Sequence, residues 1–329
     1  MNKKQLESLY DICSYTRAAG SQGEHHVISN YIKPIADYRD DYGNYYKHVS
    51  SAPVIWSCHT DTVHRDNDPT KQTVYVDDQS TRLFKGKDGM CLGADCGTGI
   101  WIMLQMIKAQ VPGLYIFHRA EEIGGLGSGW IADHPEASTC TDYDHWLQQY
   151  EQCIAFDRYG NNSIITHQGM ERTASDEYAH ALSELLDMGH RPDTGGSFTD
   201  SKNYSQLIPE CTNLSVGYMH QHSNSEYQDL TYLLQLTERL CDVGEEIGNI
   251  GTFRDPTKTE VLDYGKYNLK GYTVTEYDYY DDPLVNAICT YPEAVISMLR
   301  HSGYAMDDAE LAQIIEDNWV WGDESRQYG

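Results

Sequence analysis

Seven side chains of types that bind divalent cations or move protons recur in order along this chain: His59, Asp61, Asp95, Glu121, Glu122, Asp157 and His222. In His59-Thr60-Asp61-Thr62-Val63 the imidazole and the carboxylate are two residues apart, so on an extended segment they point to the same side. A metal-binding imidazole usually donates its other ring N–H to a carboxylate or carbonyl, and Asp61 suits that orienting role. Gly93-Ala94-Asp95-Cys96-Gly97-Thr98-Gly99 sets one carboxylate among glycines that let the backbone turn sharply into the apolar segment behind it. Asp95 would stand at that helix's N-terminus, facing a cleft where a carboxylate can bridge two cations; an ordinary Asp helix cap has the same pattern. Glu121-Glu122 are adjacent carboxylates beyond an apolar run, costly there unless solvated or bound to cations. One can ligate while the other serves as general base. Asp157 closes the run 153–156, and Met219-His220-Gln221-His222-Ser223 offers two imidazoles, of which one need ligate.

Taken singly, each motif has an ordinary reading: a surface histidine, a helix cap, a solvated acidic turn. The weight lies in the ordered set, which supplies five groups of ligating type, one orienting carboxylate and one carboxylate base. That is the equipment for metal-assisted hydrolysis through an activated water. Nitrogen and oxygen donors suit zinc, with cobalt or manganese as substitutes. His64, His118, His167 and His220 are expected at the rim or surface, and Cys58 points away from His59 as buried filler.

The elements that must position these residues alternate. Helices are expected over 3–19 and 24–33, the second ending before Pro34. Short apolar runs at 53–58, 114–117 and 153–156 read as buried strands, with further strands at 73–76, 82–85 and 213–218. Residues 97–108 are almost continuously apolar and long enough for a buried helix. Ser175 caps a helix with Asp176 and Glu177 in its first turn, and Leu230, Leu233, Leu234 and Leu240 mark another. The fold class is α/β: a mixed, mostly parallel sheet sandwiched by helices, in which ligands bind beyond the carboxyl ends of the strands. Residues 1–250 form the catalytic domain, 251–282 a Tyr/Asp-rich linker or edge segment, and 283–329 a small helical module read from Val285, Ile288, Val295, Met298 and Leu311. The module is expected to pack against the main domain or a second copy of the chain; docking another protein is the alternative.

With 24 Lys and Arg against 50 Asp and Glu, the formal charge is −26. That balance argues against nucleic acid, whose phosphates need basic partners, and against anionic membrane surfaces. Nine Cys without a C-x-x-C pair suggest reduced thiols and a cytoplasmic setting. The first residues lack the apolar run of a signal peptide, and no stretch approaches the ~20 apolar residues of a membrane span.

As a set, HTDTV, GADCGTG, Glu-Glu-Ile-Gly, the strand-final Asp157 and HSNSEY resemble the signatures of the co-catalytic dizinc exopeptidases over residues 50–230. That group includes peptidase T, carboxypeptidase G and the single-domain zinc aminopeptidases. The resemblance implies the zinc-dependent exopeptidase fold and two Zn2+. His59, Asp95 and Asp157 would hold one ion; Asp95 would bridge to a second held by Glu122 and His222. Asp61 would orient His59, and Glu121 would be the general base. His222 is preferred to His220 because Glu226 and an aromatic follow it, as in peptidase T-like sequences. Two departures stand out. Cys96 occupies a position where many such enzymes have Asp, and only 64 residues separate Asp157 from His222, too few for the inserted dimerisation or lid domain. The activity implied is that of an aminopeptidase or small-peptide exopeptidase. An N-deacylase or amidohydrolase on a small metabolite is the alternative, and a catalytically silent metal-binding scaffold a third reading. The partner is a peptide or acyl-amino-acid. A substrate carboxylate would need a cationic donor, and Arg119, Arg158 and Arg172 lie near the motifs in sequence.

Overall fold

The computed structural model describes residues 3–65, 68–77, 79–86, 90–135 and 145–260. The strands are β1 (Tyr38–Arg39), β2 (Tyr45–Val49), β3 (Val54–His59), β4 (Val74–Asp77), β5 (Arg82–Lys85), β6 (Gly113–His118), β7 (Gln152–Arg158), β8 (Ser163–Ile165), β9 (His167–Gln168), β10 (Glu171–Arg172), β11 (Arg191–Asp193), β12 (Glu210–Ser215), β13 (Tyr218–Met219) and β14 (Tyr227–Asp229). Eight of them form the main sheet in the order β1-β2-β6-β3-β7-β12-β8-β11. Its central pairs, β6 with β3, β3 with β7 and β7 with β12, are parallel, as is β8 with β11 at one end. β13, β14, β5 and β4 make a separate antiparallel sheet.

β3 and β6 are buried at every position. Continuous apolar strands of this kind need cover on both faces, and alternation along each strand supplies it. Val54, Trp56 and Cys58 of β3, with Tyr115 and Phe117 of β6, point into one core, while Ile55, Leu114 and Ile116 point into a second. The first core is filled by helices α1 (Lys3–Cys13), α2 (Gln22–Val27), α3 (Ala94–Lys108), α5 (Asp176–Leu186) and α6 (Leu230–Ile247). The second is covered by α4 (Leu126–Asp133) and by Trp146, Leu147, Tyr204 and Ile208. The expected mixed, mostly parallel sheet between helices is the architecture observed. Among the described residues no helix is long and apolar enough to cross a membrane.

Three expected elements differ in extent. The first helix stops at Cys13 rather than 19, because Tyr15 bridges to Lys71 and Arg17 turns into the core. The second starts at Gln22, where the Ser21 side chain accepts from Glu24 N, and continues as a π turn over Ile28–Ile32. The strand expected at 213–218 runs Glu210–Ser215 instead; the chain turns at Gly217 (φ 91), and Tyr218 enters the smaller sheet. Its buried start hides behind Glu210, a polar residue whose carboxylate is satisfied by Ser175 N, Ser175 Oγ and Phe253 N.

The interval between Asp157 and His222 forms no domain of its own among the described residues: β8, β11 and β12 join the main sheet and α5 packs on it. Residues 251–260 are tied to the same body, with Arg254 N donating to Glu210 Oε1 and Arg172 N to Glu260 O. The rest of the expected linker, 261–282, and the helical module, 283–329, lie outside the described residues.

Candidate active site

The seven residues converge at the carboxyl ends of β3, β6 and β7. His59 is the last residue of β3, level with His118 at the end of β6. Its Nε2 lies 3.1 Å from Asp95 Oδ1 and 3.1 Å from Asp157 Oδ1. Asp95 stands in the first turn of α3 with non-helical backbone (φ −80, ψ 106), which turns its carboxylate out of the helix. Gly93 precedes it at φ 71, a left-handed conformation that strains any side chain. The other oxygen, Asp95 Oδ2, lies 3.1 Å from His222 Nε2, which is 3.3 Å from Glu122 Oε1. Glu121 Oε2 is 3.9 Å from His59 Nε2. His220 is not part of the cluster; its ring meets Tyr227 edge-on at 5.8 Å.

Buried hydrogen bonds hold each piece. Asp157 N donates to Asn213 Oδ1 and Asn213 Nδ2 donates back to Asp157 O, both at 3.0 Å, so the end of β7 is pinned to β12. Glu226 accepts from Gly93 N at 2.9 Å and from Asp95 N at 3.2 Å, clamping the turn that presents Asp95. Asp61 accepts from Glu121 N at 3.1 Å and Glu122 N at 3.2 Å. Its Oδ1 is 3.6 Å from His59 Nδ1, beyond a hydrogen bond. Asp61 therefore fixes the turn carrying the two glutamates, while His59 Nδ1 has no hydrogen-bond partner.

Among the described residues, every ion pair of Asp95, Glu121, Glu122 and Asp157 goes to His59 or His222, none to Lys or Arg. Burial and the neighbouring Asp95 raise the Asp157 carboxyl to about 7. Burial pushes Glu121 well above the usual carboxylate range, further helped by Asp157 though opposed by His59. Glu122 is raised by burial and by Asp95. Burial works against charge on His222, yet its bonds to Asp95 and Glu122 lift it to about 11. Three of the four carboxylates are thus held against their own charge by burial, while bonds to His222 and His59 overcome burial at Asp95 and hold its carboxyl well below the usual range; bound cations would relieve the other three.

The donor set fits such ions. Tetrahedral bonds of about 2.0–2.1 Å place neighbouring ligand atoms about 3.3 Å apart, and the spacings of 3.1, 3.1, 3.1 and 3.3 Å above are of that size. Cys96 is also within reach of His59 and Asp157. Its thiol donates to Phe156 O, and burial holds its pKa well above the ordinary thiol value.

Sequence reasoning missed several supports. His64, His118 and His167, expected at the rim or surface, are buried. His118 lies between Tyr204 OH at 2.6 Å and Asp200 at 3.3 Å, and burial depresses its pKa to about 3. Arg119 forms a two-pronged pair with buried Glu24, at 2.7 and 2.8 Å, which also receives Thr60 Oγ1. Arg17, fully buried, donates to Thr60 O and Gly93 O and so joins the turns bearing His59 and Asp95. Their partners are distant in sequence, leaving no local signal.

No family model matches the chain, and no curated protein matches it. Solved structures do. A tripeptidase from Staphylococcus aureus is similar at 12% identity and TM-score 0.59, covering 75% of this chain and 98% of that one. The aminopeptidase PepT from Bacillus cereus is similar at 12% identity and TM-score 0.55, covering 74% and 98%. The Pyrococcus horikoshii TET1 peptidase, described as assembling into a tetrahedron or a large octahedral shell, is similar at 14% identity and TM-score 0.55, covering 74% and 99%. At these identities the likeness is one of fold: the chain has the architecture of these peptidases.

Proposed function

We propose that the chain is a two-cation hydrolase of amide bonds, acting as an exopeptidase on short peptides. The observation supporting this is the division of the Asp95 carboxylate. Oδ1 meets His59 Nε2, itself beside Asp157, and Oδ2 meets His222 Nε2, itself beside Glu122. His59, Asp157 and Asp95 would hold one ion, Glu122, His222 and Asp95 the other; zinc suits these donors, with cobalt or manganese as substitutes. Two such cations, when bound, supply Lewis acidity to the scissile carbonyl and lower the pKa of a water.

The chain's own part is proton transfer and positioning. Glu121 takes a proton from the attacking water and returns it to the departing amine nitrogen as the C–N bond breaks. Its placement rests on Asp61, which receives the backbone N–H of Glu121 and Glu122. Burial favours the protonated carboxyl it must become midway. Exopeptidase action is supported by the tripeptidase and aminopeptidase names of the similar structures, and a homo-oligomer by the assemblies of the TET1 peptidase. Residues 283–329 would serve that assembly, and the reduced thiols fit the cytoplasm.

The test is a chelate-and-restore assay on free, N-blocked and C-blocked peptides. Hydrolysis should vanish with chelator and return with zinc, cobalt or manganese. Hydrolysis indifferent to chelation would overturn the proposal.

A further inference from the structure

A small cavity of about 100 Å³ lies over the cluster. Besides His222, Arg158, next in sequence to Asp157, is the cationic side chain lining it among the described residues. The other arginines near the motifs are committed elsewhere. Arg119 is spent on Glu24. Arg172 is held by Asp176 and Glu260, each at 3.2 Å. Arg158 differs. Its hydrogen bonds run through Nη2 alone, to Asp193 Oδ2 at 3.4 Å and Tyr159 OH at 3.5 Å. The Asp193 carboxylate takes shorter bonds from Ser163 Oγ at 2.6 Å and Gly195 N at 2.8 Å, so the arginine is its loosest partner. Arg158 Nε is buried without a hydrogen-bond partner. The guanidinium lies over the Tyr159 ring, 4.2 Å from its centroid, which orients its plane.

A guanidinium carries five donors in a fixed fork that matches a carboxylate. Arg158, loosely held by Asp193 through one nitrogen and placed on the wall of the cavity, has donors left for a second carboxylate. We propose that Arg158 anchors the free C-terminal carboxylate of the substrate, so that the bond cut lies near that terminus. This rests on the amide-hydrolase reading above. Arg158 lines the same cavity as Asp157, Glu121 and Glu122, so a carboxylate held there sits on the wall of the space that the cluster faces. Asp193, Ser163 and Gly195 keep their mutual bonds whether or not the arginine swings to the substrate.

The test uses zinc-loaded E121Q protein as a non-turning trap and calorimetric titration with Leu-Gly-Gly and Leu-Gly-Gly amide. The free acid is expected to bind at least about tenfold tighter than the amide, one charge-assisted fork's worth, ~1.4 kcal/mol. R158M should bring the ratio to about one. R158K, which keeps charge but not the fork, should leave an intermediate ratio and covers the case in which R158M fails to fold. Equal binding of acid and amide to the trap, an unchanged ratio in R158M or R158K, or no binding of either peptide would overturn the assignment. Hydrolysis by the parent protein is scored separately. Chelator-sensitive cleavage of acid and amide at equal rates would reject the Arg158 anchor and keep the hydrolase. A clear acid preference in binding with no cleavage of any peptide would reject the hydrolase and keep the anchor.

Discussion

Replacing Glu226 with Gln isolates the clamp on the turn that presents Asp95. The Glu226 carboxylate is buried and receives two backbone donors, Gly93 N and Asp95 N, one on each oxygen. A Gln of the same shape keeps one acceptor and sets an NH2 against the other backbone N–H. One buried donor is then unsatisfied, at a cost of about 1–3 kcal/mol. Part of that cost appears as stability and part as freedom of the Asp95 carboxylate to leave its place between the two histidines. Removing a group that orients a metal ligand typically weakens binding 10–100-fold, or about 1.4–2.8 kcal/mol, the same size as one lost bond. Urea unfolding of metal-free protein and zinc competition against a fluorescent chelator separate the two effects. The expected E226Q protein unfolds at lower urea and binds zinc at least tenfold more weakly. An E226Q protein with the parent's unfolding midpoint and zinc affinity would show that Glu226 does not hold the turn.

Further outcomes follow from other buried polar groups. Glu24→Ala leaves the Arg119 guanidinium without its carboxylate and is expected to cost about 3–5 kcal/mol in urea unfolding; a loss under 1 kcal/mol would contradict the pairing. His190 is buried beside Tyr232 OH, and burial depresses its pKa to about 4, below its unfolded value near 6.5. It is neutral when folded, so its contribution is whole above pH 6.5 and is lost as pH falls toward 4, at about 1.4 kcal/mol per pH unit. His190→Gln should therefore differ from the parent by about 2 kcal/mol less at pH 5 than at pH 7, and a difference constant with pH would refute the assignment. Phe156→Ala removes the ring stacked on Trp56 at 5.9 Å in the fully buried core and is expected to cost about 3–5 kcal/mol; an unchanged melting curve would contradict that packing.

What was legible in the chain follows from how local each signal is. His59, Glu121, Glu122 and Asp157 stand just past apolar runs that could only be buried strands, and β3, β6 and β7 are those strands. Asp95 was marked by its glycines and the apolar helix behind it. What holds these residues was not legible, because its partners are far apart: Glu226 clamps Gly93 across 133 positions, and Asn213 pins Asp157 across 56. Buried polar residues also misled. Glu210 and Thr212 lie inside β12, but their polarity delayed the expected strand to Asn213. His118 has its partner Tyr204 86 positions away, with no local signal, whereas His64 and His167 bond to the nearby Thr62 and Thr166 and are buried all the same. Asp61, expected to orient His59, lies 3.6 Å from His59 Nδ1 and also receives the backbone N–H groups of the glutamate turn, which no local pattern announces.

The central claim is that Asp95 shares its two oxygens between two cations. Metal content per folded chain, measured by mass spectrometry after dialysis against zinc, tests it directly in the parent and in Asp95→Asn. The account predicts two zinc ions in the parent and at most one in the variant. One ion or none in the parent, or two retained in the variant, would contradict it.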